Sequence, residues 1–344
     1  MVRTLQELES FIELNERERL WFEAHGDKLP LLVSRYYLSL IDPSDSLDPI
    51  RRQVIPSIEE LSSSVEEDKD PLAEVAHSVH PRLIHRYKNR VALLVSDTCA
   101  TYCRHCFRRR FTATEEKQIT PKEMEAIADY LKGEPEVKEI LLTGGDPLTL
   151  NDSNLRKLLI SLYSARSDLT VRLCTRIPVT YPQRVTSALV ALLKEVRKGP
   201  IYLMTQFNHP RELTKESIEA VSLFIDNGFP ALNQSVLLRG VNDSVDVLEE
   251  LMNSLLFNRI KPYYLFQGDL VEGTKHLRVP LEEGLRLERE LRQRLSGLAM
   301  PTYAVDLPGG GGKVVLTHNY LVGIEGEAAI FDSPQGGRVE YPSD

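Results

Sequence analysis

Between residue 91 and about 295, short apolar, β-branched runs alternate with longer amphipathic segments. Strands joined by helical crossovers lie parallel, and the crossovers are right-handed. The strand-like runs are 91–96, 139–142, 170–175, 201–205, 234–238 and 262–266. Helical patterns fill the intervals at 121–132, 153–165, 182–197, 214–227 and 245–256, and a sixth follows at 281–295, closing at Ser296-Gly297. Thr120, Pro121 and Glu123 supply the cap, first helical residue and reciprocal acid of a capping box. A closed barrel of this kind takes eight strand–helix units. Six units predict an α/β fold built as an open, partial (β/α)6 barrel, with its chemistry at the carboxyl ends of the strands. The first 80 or so residues read as helical and irregular, broken at 42–49 and 66–71 by Asp, Pro and acidic clusters. The expected division is a mainly helical extension at 1–84, the barrel at 85–280 and a shorter C-terminal segment at 281–344.

The net charge of −8 disfavours a partner that is a nucleic acid. No run approaches the roughly 18 apolar residues of a membrane span. The polar, acidic N-terminus has no signal-peptide pattern. A cytoplasmic protein with no membrane partner is expected.

Of four cysteines, three crowd together as Cys99, Cys103 and Cys106, directly after the first strand of the barrel. In a reducing compartment such a group points to metal or redox chemistry rather than a disulfide scaffold. Three thiolates on one loop can hold three irons of a [4Fe–4S] cluster and leave the fourth iron open to a chelating cofactor. The alternative is a structural zinc, which would need a fourth ligand from His105 or Cys174. Cys174 reads as a small core residue within its strand.

After the second strand stands Thr143-Gly144-Gly145-Asp146-Pro147. The glycines let backbone approach a ligand, and the acid can accept from a ligand ammonium; the plain alternative is a turn. Near the C-terminus, Pro308 is followed by four glycines and Lys313. A phosphate-cradling P-loop is excluded, because Leu307 stands where its first glycine should be and Val314 follows the lysine. A flexible linker and a Schiff-base lysine for pyridoxal phosphate remain, and strand-like runs on both sides of Lys313 argue against a floppy linker. Arg86 and Arg90, read alone, make a solvated basic face or one side of a helical turn. Asp269 and Asp306, read singly, are turn or surface residues.

The C-x3-C-x2-C loop resembles that of radical S-adenosylmethionine enzymes, and its context Cys103-Arg-His-Cys-Phe-Arg-Arg-Arg-Phe111 resembles the lysine 2,3-aminomutase family. The resemblance runs from about residue 30 to the C-terminus. It implies a radical-SAM barrel carrying a pyridoxal-phosphate lysine in its C-terminal segment, and three cofactors: a [4Fe–4S] cluster, S-adenosylmethionine and pyridoxal 5′-phosphate. It assigns Cys99, Cys103 and Cys106 to the cluster, which cleaves S-adenosylmethionine to a 5′-deoxyadenosyl radical. It places the backbone of Gly144, Gly145 and Asp146 near the methionine amino group, and Gln206 beside the cofactor where the family has a histidine. Lys313 becomes the pyridoxal lysine, with Arg86 and Arg90 on the phosphate and Tyr87 near the ring. Arg108 becomes the arginine for the substrate carboxylate, and Asp269 and Asp306 the acids for a distal ammonium. The implied activity is the interconversion of free L-lysine and β-lysine, fed by an electron donor such as flavodoxin or ferredoxin, in a homodimer. Other implied substrates are a different cationic amino acid or a lysine on elongation factor P. Longer family members bind zinc between subunits through cysteines; this sequence has none after Cys174, and Ser244 stands where one is expected, so that zinc site should be absent.

Overall fold

The fold is described from a computed structural model, covering residues 1–24, 29–334 and 336–342. Four short helices, α1 (Leu5–Glu9), α2 (Glu16–Ala24), α3 (Arg35–Leu38) and α4 (Pro49–Val54), and a 3-10 turn at Ile58–Leu61 open the chain. Three strands follow: β1 (Ser78–His80), β2 (Leu83–Tyr87) and β3 (Arg90–Ser96). Helices and strands then alternate: α5 (Pro121–Gly133), β4 (Glu139–Gly144), α6 (Asp152–Ala165), β5 (Thr170–Cys174), α7 (Ile177–Thr180), α8 (Ser187–Val196), β6 (Ile201–Thr205) and α9 (Lys215–Asp226). The series closes with β7 (Ala231–Val236), α10 (Val245–Phe257), β8 (Ile260–Phe266), α11 (Leu281–Arg294), β9 (Thr302–Leu307) and β10 (Gly312–Val315). A separate antiparallel sheet holds β11 (Leu321–Glu325), β12 (Ala328–Asp332) and β13 (Arg338–Pro342).

Strands β1 to β10 form one sheet in chain order. β3 through β9 are parallel, while β1, β2 and β10 join antiparallel at the edges. The two outer strands do not pair, so the barrel is partial, as the six repeating units require. The C-terminal segment adds a seventh parallel strand, β9, and the sheet is continuous across residues 84/85 and 280/281. The core is aliphatic: Leu142, Leu173, Leu203 and Leu265 from the strands and Leu158, Leu193, Leu251 and Leu287 from the helices are buried. The capping box forms as expected, with Thr120 and Glu123 satisfying each other's backbone N–H groups. Among the described residues, no helix is long and apolar enough to cross a membrane.

Several boundaries differ from the sequence reading, three of them for a clear local reason. β7 ends at Val236, and Leu237 and Leu238 stay buried in the exit loop, so one apolar run covers both strand and loop. The predicted helix at 182 starts at Ser187, where Thr186 accepts from the Leu189 N–H; Pro182 begins only a 3-10 turn. α11 ends at Arg294 on an extended Leu295 instead of at Gly297. Arg86 and Arg90 do not share a helical turn: they flank the β2–β3 hairpin, in which Tyr87 is the cross-strand partner of Arg90.

Candidate functional site

A cavity of about 450 Å³ opens at the carboxyl ends of the parallel strands. Cys99, Cys103 and Cys106 come to it from the loop after β3, Gly144 to Asp146 from β4, Cys174 to Arg176 from β5 and Gln206 from β6. Phe266 and Asp269 enter from β8, Asp306 from β9 and Lys313 from β10. Arg86, Tyr87 and Arg90 close one wall and Arg108 another, so every residue expected to hold a cofactor or the substrate lines this one cavity.

The cysteine loop is held from two sides. Gly144 has φ +111°, and a β-carbon on it would lie 2.4 Å from the Ser96 carbonyl; one on Gly145 would lie 2.3 Å from the Thr98 carbonyl. The Asp146 N–H donates to that Thr98 carbonyl at 2.9 Å. The two glycines therefore exist so that the loop can lie against the end of β4. From the other side, the Arg104 backbone N–H donates to Gln53 and the Tyr102 N–H to Leu32, both at 2.8 Å. Two buried acids anchor the run of arginines, and Asp70 adds a third contact, 3.0 Å from Arg110. Arg104 and Arg109 each pair with Glu60 at 2.5 Å, and Arg108 and Arg110 pair with Glu74 at 2.8 and 3.3 Å.

The three cysteines are free thiols. Burial, with the Asp146 charge behind it, pushes the Cys99 thiol well up, and burial raises Cys106 as well. Such thiols ionise when a cationic centre binds and releases their protons. Arg176 donates from Nη1 to Cys103 Sγ at 2.8 Å and from Nη2 to Tyr37, Gln53 and Glu212. Donors aimed at ligand sulfurs are one way a protein tunes an iron–sulfur cluster. His105, between two of the cysteines, is kept neutral by burial; its Nε2 meets the Gln206 amide at 3.2 Å and its Nδ1 is buried without a partner. Among the described residues, no group of three or more His, Cys, Asp and Glu converges on one point as the ligands of a single metal ion would. Three free thiols on one loop, with an adjacent orphaned ring nitrogen, fit an iron–sulfur cluster.

The Asp146 side chain is not free to accept from a ligand ammonium, one of the sequence readings; the expectation for the backbone at Gly144 to Asp146 is untouched by this. The Asp146 carboxylate accepts from Thr175 Oγ1 at 2.7 Å, the Leu148 N–H at 2.9 Å and the Arg176 N–H at 2.7 Å. It ties the ends of β4 and β5 together, and a ligand ammonium would find the backbone there rather than the side chain. Cys174 is also corrected: it lines the cavity rather than the core, its thiol raised by burial to about 12.

At the other end, Lys313 and Asp306 are directly opposed across the β9–β10 hairpin, with Nζ 2.6 Å from Oδ2. Gly309, Gly310 and Gly312 have φ of 66°, 79° and 91°, which explains the glycine run as a tight turn rather than a linker. Phe266 lies 3.9 Å under Nζ and Tyr264 5.1 Å away, the two rings stacked on one face of β8. Burial lowers the Lys313 ammonium, while Asp306 works to hold its proton. Burial, and then the Asp306 charge, pushes the Asp269 carboxyl up to about 7. Arg86 and Arg90 sit over the Tyr87 ring at 4.8 and 3.7 Å, and Arg86 reaches Asp306 at 3.3 Å. An amine, two guanidiniums and flanking rings in one cavity fit an aldehyde cofactor with a phosphate.

Arg108 spends Nε and Nη2 on Glu74 and Nη1 on Thr143 at 2.8 Å. A guanidinium has five N–H donors, so one remains on each of Nη1 and Nη2, the fork that grips a carboxylate end-on. Glu74, Arg176 and Phe266 were not found from the sequence. The carboxyl ends of β5 and β8 would have drawn attention to the last two. Glu74 had no local signal, because its partners lie more than 30 residues away.

Comparison with known proteins agrees with this geometry. A sequence model of the radical SAM superfamily matches residues 93–252, and one described as lysine-2,3-aminomutase matches residues 288–342. The L-lysine 2,3-aminomutase of Clostridium subterminale is 41% identical over 340 residues, spanning 99% of this chain and 81% of that one. The L-lysine 2,3-aminomutase of Bacillus subtilis is 40% identical over 99% of this chain and 72% of its own. The glutamate 2,3-aminomutase of Clostridioides difficile is also 41% identical, over 92% of this chain and 74% of its own. Overall identity therefore does not separate the two amino acids. On its cysteine loop, its strand-end cavity and these relatives, the chain belongs to the lysine 2,3-aminomutase family of the radical SAM superfamily.

Proposed function

We propose that this protein interconverts L-lysine and β-lysine, moving the amino group between C2 and C3. The observation that carries the substrate is the pair Asp269 and Asp306. Burial first, and then the charge of Asp306, raises the carboxyl of Asp269. A distal ammonium relieves that repulsion, whereas a side-chain carboxylate would add a third negative group. The open fork of Arg108 suits the α-carboxylate.

In this reading Cys99, Cys103 and Cys106 hold the cluster, and the backbone at Gly144 to Asp146 and the Gln206 side chain lie beside S-adenosylmethionine. Lys313 holds pyridoxal phosphate, with Arg86 and Arg90 on its phosphate. The bound cofactors supply a hydrogen-abstracting radical and an imine across which nitrogen can migrate. The chain fixes both ends of the diamino acid, so C2 and C3 stand at one place between them. Phe266, Tyr264, Met204 and Val236 supply apolar wall that keeps water from a reactive centre. Reduction of the cluster calls for an external one-electron donor of flavodoxin or ferredoxin type.

The test is an anaerobic turnover assay on protein reconstituted with iron, sulfide and pyridoxal phosphate. It is given reductant, S-adenosylmethionine and, in parallel, lysine, ornithine, arginine and glutamate. β-Lysine as the dominant product is the expected result. β-Glutamate as the dominant product would overturn the two-acid argument.

A further inference from the structure

The chain's own Lys313 ammonium lies against Asp306, one of the two acids read above as the site for the substrate's distal ammonium. Lys313 Nζ lies 2.6 Å from Asp306 Oδ2, and strand register makes the two residues direct partners. The pair is largely buried, with side-chain exposures of 20% and 13%, so water screens it little. Its surroundings hold it in place: Phe266 and Tyr264 face Nζ, and Arg86 reaches the other carboxylate oxygen, Oδ1. Three of the four hairpin glycines sit at positive φ and fix the turn that aligns the two strands.

We propose that Lys313 is an internal stand-in for the substrate's ammonium: it masks Asp306 until pyridoxal phosphate takes its nitrogen. This rests on the reading of Asp269 and Asp306 as the ammonium site. When Nζ condenses with the cofactor aldehyde, a C=N bond forms and the carbonyl oxygen leaves as water, carrying two of the ammonium's three hydrogens. The nitrogen keeps at most one N–H, and Asp306 loses its three-donor partner. Loading the cofactor thus opens the ammonium pocket, and an ω-ammonium ligand and the cofactor favour each other. The coupling is reciprocal by thermodynamic necessity. It would give the enzyme an order of assembly, because free lysine would not fill a protein that lacks the group needed to act on it.

The probe is 6-aminohexanoate, which has the carboxylate and distal ammonium of lysine at the same separation but no α-amino group through which to replace Lys313 on the cofactor. Binding is measured by calorimetry on wild type with and without pyridoxal phosphate, and on cofactor-free Lys313→Ala. One charge-assisted contact is worth about a tenfold change in affinity or more. The loaded wild type and the cofactor-free Lys313→Ala should each bind about tenfold more tightly than cofactor-free wild type. In the same way 6-aminohexanoate should lower the cofactor concentration needed for half-maximal imine absorbance by about tenfold. Adding Asp306→Asn to Lys313→Ala should remove the gain. Equal affinities in cofactor-free and loaded wild type would overturn the masking while leaving the substrate reading intact. No binding to the loaded wild type would overturn the substrate reading and the masking with it. If Lys313→Ala fails to fold, the loaded and cofactor-free wild types alone decide.

Discussion

At the scale of single residues, the site is a balance of charges that a ligand completes. Asp269 has an ordinary carboxyl value of 3.8 raised to about 7, first by burial and then by Asp306. The folded chain therefore holds this proton longer than the unfolded chain. The stability contribution of Asp269 is greatest below pH about 4 and falls as pH rises to about 7. Ligand binding has the opposite sign, because an ammonium pairs with the ionised acid. The affinity of 6-aminohexanoate for the loaded enzyme should rise about tenfold per pH unit up to about pH 7 and level off above it. Asp269→Asn should flatten that profile. A wild-type profile that is level between pH 5.5 and 8, read by calorimetry, would remove Asp269 from the ammonium site. Glu74 is the residue-scale counterpart at the other end: by occupying one edge of Arg108 it decides which N–H groups are left to face the cavity.

At the scale of elements, two glycine motifs do different work. Gly309 has φ 66° and nothing within 4 Å of where a β-carbon would stand. Gly309→Ala should then cost only backbone strain, about 1–2 kcal/mol, with iron content unchanged. Gly145 has no room at all, since its β-carbon would lie within 2.7 Å of both the carbonyl oxygen and the nitrogen of Thr98, next to Cys99. Gly145→Ala must displace the cysteine loop and should lose most of the reconstituted iron and its visible absorbance. Equal iron in the two variants would show that the loop is not held by this contact. The capping box at Thr120 and all six expected strands could be read from local pattern, because their signals span a few residues. The direction of the Asp146 side chain could not, because its partner Thr175 comes from another strand.

At the scale of the whole molecule, the N-terminal extension is the support under the cysteine loop. Glu60 is fully buried and serves both Arg104 and Arg109, and Arg104 also donates to the carbonyls of Leu29 and Pro30. Removing the acid strands a buried guanidinium. Glu60→Ala should cost about 3–5 kcal/mol in denaturant unfolding. A loss under about 1 kcal/mol would mean that water reaches the pair and the extension does not brace the loop.

Several things were determined by the sequence alone: the alternation that makes parallel strands, the spacing of Cys99, Cys103 and Cys106, and the glycine run before Lys313. Each is a short-range pattern, and each is dictated by backbone geometry or ligand chemistry within one segment. Tertiary structure decided what faces what. It paired Lys313 with Asp306 across a hairpin, turned Cys174 toward the cavity, spent Asp146 on Thr175 and placed Glu74 on Arg108. It also set β9 beside β8 as a seventh parallel strand. These outcomes depend on charges and side chains brought together from distant segments, and a buried charge takes whatever partner the fold puts within reach.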